Sequence, residues 1–223
     1  MNEGLRESLR AGAQLALAGL AAAALLAGTW ALTRDRIADA EQRAKLQALE
    51  IVLPPDRYDN DPIADAVQVR APAWLGSESA TVSRARLAGA PSALVLEVVA
   101  PDGYAGPIKL LIAVAADGTV LGVRVTAHQE TPGLGDNIEA GRSDWITRFA
   151  GRALGDPPAS RWQVQRDGGD FPQFAGATLT PRAVVAAVRR TLQFVARHGD
   201  AVRAAGPGAT LSFDDAPAPD DAP

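Results

Sequence analysis

The sequence predicts an α+β chain: one N-terminal transmembrane helix, then an antiparallel-sheet domain with helices packed on it. Three observations carry this. Residues 11–33 hold no charged side chain. Residues 92–126 set apolar runs between Asp-Gly turns. Residues 181–198 carry apolar side chains at helical spacing.

The uncharged run between Arg10 and Arg34 reads AGAQLALAGLAAAALLAGTWALT. As a helix it reaches roughly 34 Å, enough to cross a hydrocarbon core. Trp30 lies near its far end, where an aromatic ring rests well at the interface. A cleaved signal peptide and a buried core helix are the alternatives. The apolar part exceeds an ordinary signal core, and Gly28–Ala31 makes a poor cleavage site. Arg6 and Arg10 precede the run, while Arg34, Arg36, Arg43 and Lys45 follow it. That count alone puts the C-terminal side in the cytoplasm, but long domains translocate regardless of flanking charge, so composition leaves the side open.

Residues 1–10 form a short leading segment, and 34–55 a helical stalk that stops at Pro54 and Pro55. Residues 56–212 form the folded domain. Its first part, to about Ser92, shows no clear period and reads as loops and short elements. Ser92–Ala100, Ile108–Ala115 and Thr119–Thr126 read as strands. Asp-Gly between apolar runs is a hairpin signal, because glycine accepts the positive φ of a tight turn. Simple alternation puts Val120, Gly122, Arg124 and Thr126 on one side of the last strand, and Leu121, Val123 and Val125 on the other. Ser143 is placed to cap a short helix carrying Trp145, Ile146 and Phe149. RWQVQR, residues 161–166, alternates like a further strand. Pro181 to about His198 is a helix, with Thr180 as N-cap, Pro181 in its first position and Gly199 at its C-terminal cap. Val184, Val185, Val188, Leu192 and Val195 form its apolar stripe. The acidic, proline-rich residues 213–223 are expected to be disordered.

Composition narrows the chemistry. The net charge of −4 and the lack of a basic, aromatic-interleaved run argue against nucleic acid. With no cysteine, disulfides, iron–sulfur clusters, thiolate zinc and a cysteine nucleophile are all excluded. His128 and His198 are too few for a multi-histidine metal site, and no metal is expected. Demanding chemistry must then come from an organic cofactor, or from carboxylates and hydroxyls.

Two segments draw attention. In Phe174-Ala175-Gly176-Ala177-Thr178-Leu179-Thr180-Pro181, Gly176 and Ala177 leave the backbone open to a planar group. Thr178 stands just before a helix N-terminus, where unpaired N–H groups and a partial positive charge hold anions. Alone, these residues also read as a plain turn and cap. The second segment is His128, Glu130 and Thr131 with Pro132-Gly133-Leu134-Gly135. A histidine there is more often a strand-end hydrogen-bonder than a catalyst, and Glu130 serves equally as an acid or as a loop brace. Asp136, Trp145 and Asp170-Phe171 have ordinary capping or core readings.

QFAGATLTPRAVVAAVRRTL resembles the C-terminal flavinylation motif of the G subunit of the Rnf electron-transport complex. The same domain occurs in the C subunit of the sodium-pumping NADH:quinone reductase. GYAGPIKLLIAVAADGTVLGVRVTAHQETPGLGD and SDWITRFAG resemble the central stretch of that FMN-binding domain, in order and spacing. The likeness spans about Gly103 to Arg197, and the single N-terminal span matches too. It implies FMN attached through its phosphate to the Thr178 hydroxyl, with Gly176, Ala177 and Thr180 beside it. It also implies that the loop of Glu130, Thr131, Gly133, Leu134 and Gly135 lies against the flavin ring, Leu134 covering its face. Ala175 departs from the family, which often has Ser or Thr there; the attached oxygen belongs to Thr178, so attachment is expected to survive. Thr-Pro after the motif favours the Rnf type over the reductase relative.

The resemblance implies an electron-relay subunit of an ion-translocating complex, without independent turnover. Its partners would be the other membrane subunits and a flavin transferase. It would cross the bacterial inner membrane once, with the domain in the periplasm. The alternatives are the C subunit of the reductase, a membrane-anchored non-redox ligand-binding module, and a hydrolase using Glu130 and Asp136. The last lacks a nucleophile or paired acid.

Overall fold

The computed structural model describes residues 46–217 continuously, with scattered positions between 12 and 34. The chain divides into two units after Lys45. In the first, the described positions from Gly12 to Arg34 are helical. Thr29 Oγ1 donates to the Leu25 and Leu26 carbonyls at 3.0 and 2.9 Å. Leu15, Leu17, Leu20, Leu25 and Leu26 are each 68–75% exposed, an apolar surface that the first unit itself does not cover. The expected span at 11–33 lies in good part outside the described residues. Among the described residues, no helix is long and apolar enough to cross a membrane. Residues 35–45 of the expected stalk and 218–223 of the expected tail also lie outside them.

The second unit is built on one six-stranded sheet. Its strands are β1 (Ala66–Arg70), β2 (Ala80–Leu87), β3 (Ala90–Ala100), β4 (Ile108–Ala115), β5 (Val120–Ala127) and β6 (Thr210–Ser212). Their order across the sheet is β5-β4-β3-β2-β1-β6. The β4–β5 hairpin forms where the Asp-Gly signal places it. At its turn the Thr119 N–H donates to Asp117 Oδ1 at 2.9 Å, and this bond leads the interactions that hold the Asp117 carboxyl below its ordinary range. The sheet is antiparallel through five strands. It is mixed at its edge, because β6 returns from the long helix to lie parallel to β1.

Two strands stand where loops were expected. β1 and β2 fill residues 66–87, with the short helix α1 (Pro72–Leu75) between them. Their signal is weak because β2 carries Arg84 and Arg86, and because its hairpin turn to β3 is Ala88-Gly89. Both turn residues have positive φ, 51° and 78°. This is the twist-matched two-residue turn, with alanine where asparagine or aspartate is usual.

Both faces of the sheet are covered along the middle of β3, so Ala93–Leu96 reads as a continuous apolar run, ended by the exposed Glu97. Leu94, Leu96 and Val98 point to the main core, under the helix α2 (Leu179–Ala204). Ala93 and Val95 point the other way, to Leu49, Val52 and Leu53. A register shift between Ala113 and Val114 breaks the simple alternation expected for β5. Val120 and Val123 both join the main core. Gly122 faces the opposite segment, where an added Cβ would stand 2.9 Å from the Val52 carbonyl oxygen.

The α2 stripe of Val184, Val185, Val188, Leu192 and Val195 is buried as predicted. Each such side chain contributes about 1.5–3 kcal/mol of burial. The helix ends differ from expectation. It starts at Leu179 with Thr178 as N-cap residue, so Thr180 does not cap it and Pro181 is its third residue. It also passes through Gly199 to Ala204. Its C-terminus is held instead by Arg84 of β2, whose Nη1 donates to the Val202 and Arg203 carbonyls at 3.3 and 3.4 Å and to that of Ala205. Asp65 pairs with both Arg84 and Arg86 and fixes them in place.

Residues 161–166 make no strand. Trp162 and Val164 alternate inward and are fully buried, but Val164 forms only an isolated bridge with Phe171. Trp145–Phe149 is a 3₁₀ turn, with the Trp145 N–H donating to Ser143 Oγ at 3.1 Å. Past β6, Phe213 packs on Phe194 and His198, and Asp215 pairs with Arg197 and His198.

Candidate functional site

Pairing of Lys109 with Ala127 puts the turn before β4 beside the loop after β5. The start of α2 arrives at the same end. Between them lies a surface cavity of about 400 Å³ lined by Tyr104, Glu130, Thr131, Leu134, Gly135 and the run Gly176–Thr180. Of the nine residues that the resemblance sets beside a flavin, eight line it. Gly133 stands just outside, its N–H donating to Asp136 Oδ1 at 2.7 Å.

The 174–180 segment is set by a tight turn and an aromatic anchor. Gly176 takes φ 78°, and the Ala177 N–H donates to the Phe174 carbonyl at 3.2 Å. Phe174 packs edge-on against Trp145 at 5.3 Å, and Trp145 Nε1–H donates to the Pro172 carbonyl at 2.7 Å. Thr178 thus stands half-buried at the N-cap of α2, yet its hydroxyl makes no capping hydrogen bond. No acidic residue belongs to the first turn of α2, where the helix carries partial positive charge; the carboxylate that reaches this turn, through Thr180, is Glu130 of the facing loop. Arg182 pairs in fork geometry with Asp167, at 2.7 and 3.0 Å. That hydrogen bond leads in holding the Asp167 carboxyl below, and the Arg182 guanidinium above, their ordinary ranges.

The 128–136 loop is braced from within. The Glu130 N–H donates to His128 Nδ1 at 2.9 Å, which leaves the ring proton on Nε2, facing Glu139 Oε1 at 2.6 Å. Glu130 itself is buried. Its Oε1 accepts the Ala105 N–H at 3.1 Å, and its Oε2 accepts the Thr180 hydroxyl at 2.5 Å. This joins all three elements of the site. Thr180, expected to cap α2, is fully buried and serves as the brace's donor. The Leu134 and Gly135 N–H groups both donate to the Thr131 carbonyl at 3.1 Å. Gly135 cannot carry a side chain cheaply: a Cβ there would lie 2.6 Å from Glu130 Oε2 and 3.0 Å from Thr180 Oγ1. Gly135→Ala is therefore expected to cost about 1–3 kcal/mol by overpacking. Unfolding in denaturant checks this, and an unchanged midpoint would refute the crowding.

Tyr104 and Leu179 complete the lining and were not singled out in the sequence. Tyr104 lies in the GYAGP stretch, between glycines that keep the turn thin. Leu179 sits between two threonines with nothing to mark it as surface. Tyr104, Leu134 and Leu179 are 69, 42 and 46% exposed, so three of the domain's exposed large apolar side chains gather at one cavity. Such a gathering makes this cavity the candidate binding site. Asp136 and Trp145 are supports beneath it. Among the described residues, no cluster of His, Asp and Glu suits a metal ion.

Residues 103–193 match the FMN-binding domain family, and residues 1–52 match the RnfG N-terminal region. The chain is 48% identical over 190 residues to the G subunit of the ion-translocating oxidoreductase complex of Pseudomonas aeruginosa, covering 85% of this chain and 89% of that one. It is 46% identical over 194 residues to its counterpart in Vibrio atlanticus, covering 86% and 92%. With that of Stutzerimonas stutzeri it shares 50% over 182 residues, covering 82% and 78%. The chain belongs to the family formed by the G subunits of ion-translocating oxidoreductase complexes.

Proposed function

We propose that this chain is the electron-relay subunit of a membrane-bound ion-translocating complex, with FMN attached by a phosphoester to Thr178. The observation that carries the reading is the Thr178 hydroxyl, uncommitted to any cap, at the N-terminus of α2 and on the wall of the cavity. The residues fit the group. Leu179 and Thr180 offer first-turn N–H groups and the helix field to a phosphate, while Pro181 has no N–H to leave unpaired. Gly176 and Ala177 keep the approach open, since even a Cβ on Gly176 would meet nothing nearer than Leu134 Cδ2 at 3.6 Å. Tyr104, Leu134 and Leu179 offer apolar and aromatic surface to a flat ring. Bound FMN supplies the redox chemistry, passing one or two electrons. The chain's part is to hold it, orient it and limit its contact with water. Covalent attachment suits a relay, which gains nothing from releasing its cofactor. A flavin transferase would install the group, and the other subunits would deliver and remove electrons.

Residues 11–33 are read as a single inner-membrane span, supported by the uncharged run and by the exposed leucines of the first unit. The domain is placed in the periplasm. A reporter active only outside the cytoplasm, fused after residue 212, should be active. Activity from a cytoplasmic reporter at that point, with silence from the other, would reverse the orientation. A non-redox binding module in the same cavity is excluded if the purified chain is yellow and keeps its colour through denaturation.

A further inference from the structure

Glu130 is buried at the cavity wall, 5% exposed. Both of its hydrogen-bond donors, the Ala105 N–H and the Thr180 hydroxyl, are neutral. Among the described residues, no Lys, Arg or His side chain forms an ion pair with it. The fold makes room for the carboxylate with glycine on both sides. A Cβ on Gly103 would lie 2.9 Å from Oε1, and one on Gly135 would lie 2.6 Å from Oε2. A brace between a loop and a helix does not need a charge, because a glutamine makes the same two bonds. A charge is also the costlier group to bury.

We propose that the Glu130 carboxylate sets the reduction potential of the flavin, as a fixed negative charge on the cavity wall. This rests on the FMN reading above and extends it. Full reduction brings two electrons from an electron-donor subunit and one proton from solvent to the ring, which so gains one negative charge. Glu130 neither gives nor takes any of these. It opposes the added electron density, and does so more strongly in a partly dehydrated cavity than in water. It is a positioning and tuning residue, acting through its field.

The test is Glu130→Gln in the full-length flavinylated chain. Its amide oxygen accepts from Ala105, and its amide N–H donates to the Thr180 hydroxyl, which can accept as well as give. Flavin load is read first, by fluorescence on a denaturing gel. The midpoint potential is then read by spectroelectrochemical titration at one pH. The expected result is an unchanged load and a raised potential, with the reduction equilibrium shifted at least tenfold, about 30 mV for a two-electron couple. Thr180→Val strands a Glu130 oxygen, so its folding is checked by thermal unfolding and its flavin load on the same gel; folded and loaded, it breaks the brace but keeps the carboxylate, and should shift the equilibrium much less. An unchanged potential in fully loaded Glu130→Gln overturns the proposal. So does an equal shift in Thr180→Val, which would make the brace and not the charge responsible. Absence of flavin from the wild-type chain shows on the gel before any titration, and overturns the FMN reading itself.

Discussion

Thr178→Ala is expected to abolish covalent flavin while leaving the domain folded. The proposed bond needs an oxygen at this position, and alanine removes it entirely, so the expected loss is complete. The fold has little stake in the hydroxyl, because Thr178 makes no side-chain cap to α2 and is only half-buried. A change of this kind usually costs under about 0.5 kcal/mol. The variant should express normally and show no flavin fluorescence on a denaturing gel. Thr178→Ser keeps the oxygen and should be labelled. The neighbouring hydroxyl calls for a gentle control. Thr180→Ala would strand a buried Glu130 oxygen, at about 1–3 kcal/mol, and so confuse folding with attachment. Thr180→Ser keeps that bond and should be labelled fully. Covalent flavin on Thr178→Ala would show the attachment site to be elsewhere.

Arg84→Ala is expected to have the largest effect on stability. Arg84 is 2% exposed, and its guanidinium does two tasks at once. Nε donates to the Asp65 carbonyl at 2.9 Å, and Nη2 pairs with the Asp65 carboxylate. Nη1 serves the last carbonyls of α2, where a helix leaves acceptors unpaired and carries partial negative charge. Removing one partner of a buried ion pair costs about 3–5 kcal/mol. Here it also exposes the end of the helix that begins at the candidate site. Arg84→Lys should recover little, because a lysine ammonium cannot fork between Asp65 and the helix end. Thermal unfolding of the purified chain should fall by on the order of 10 °C. A midpoint within about 2 °C of wild type, by the same scale, would mean that Arg86 and solvent replace the cap.

The sequence showed those parts of the fold whose signals are local. Asp-Gly announced the β4–β5 hairpin, because one pair of residues sets that turn. The α2 stripe was legible because five apolar positions share one helical face. What stayed hidden depends on distant partners. β2 looked unlike a strand because it carries Arg84 and Arg86, and Arg84 is buried only through Asp65 and the far end of α2. Gly199 looked like a C-terminal cap, but the helix runs past it to Arg84, which lies 118 residues before Val202. Thr180-Pro181 looked like a cap and first turn because threonine before proline usually is; here a carboxylate 50 residues earlier takes the hydroxyl, and the helix begins sooner. The site followed the same division. The loop and the Gly-Ala-Thr run were legible as motifs, while Tyr104 and Leu179 joined the cavity only through the folding of three elements to one end of the sheet.

The central claim is the bond at Thr178, and peptide mass spectrometry tests it most directly. Trypsin should release Asp167–Arg182 from the chain purified from cells that carry a flavin transferase. The account predicts that this peptide carries the mass of one FMN less one water, with fragment ions placing the addition on Thr178. An unmodified peptide, or an addition placed on Thr180, would contradict it.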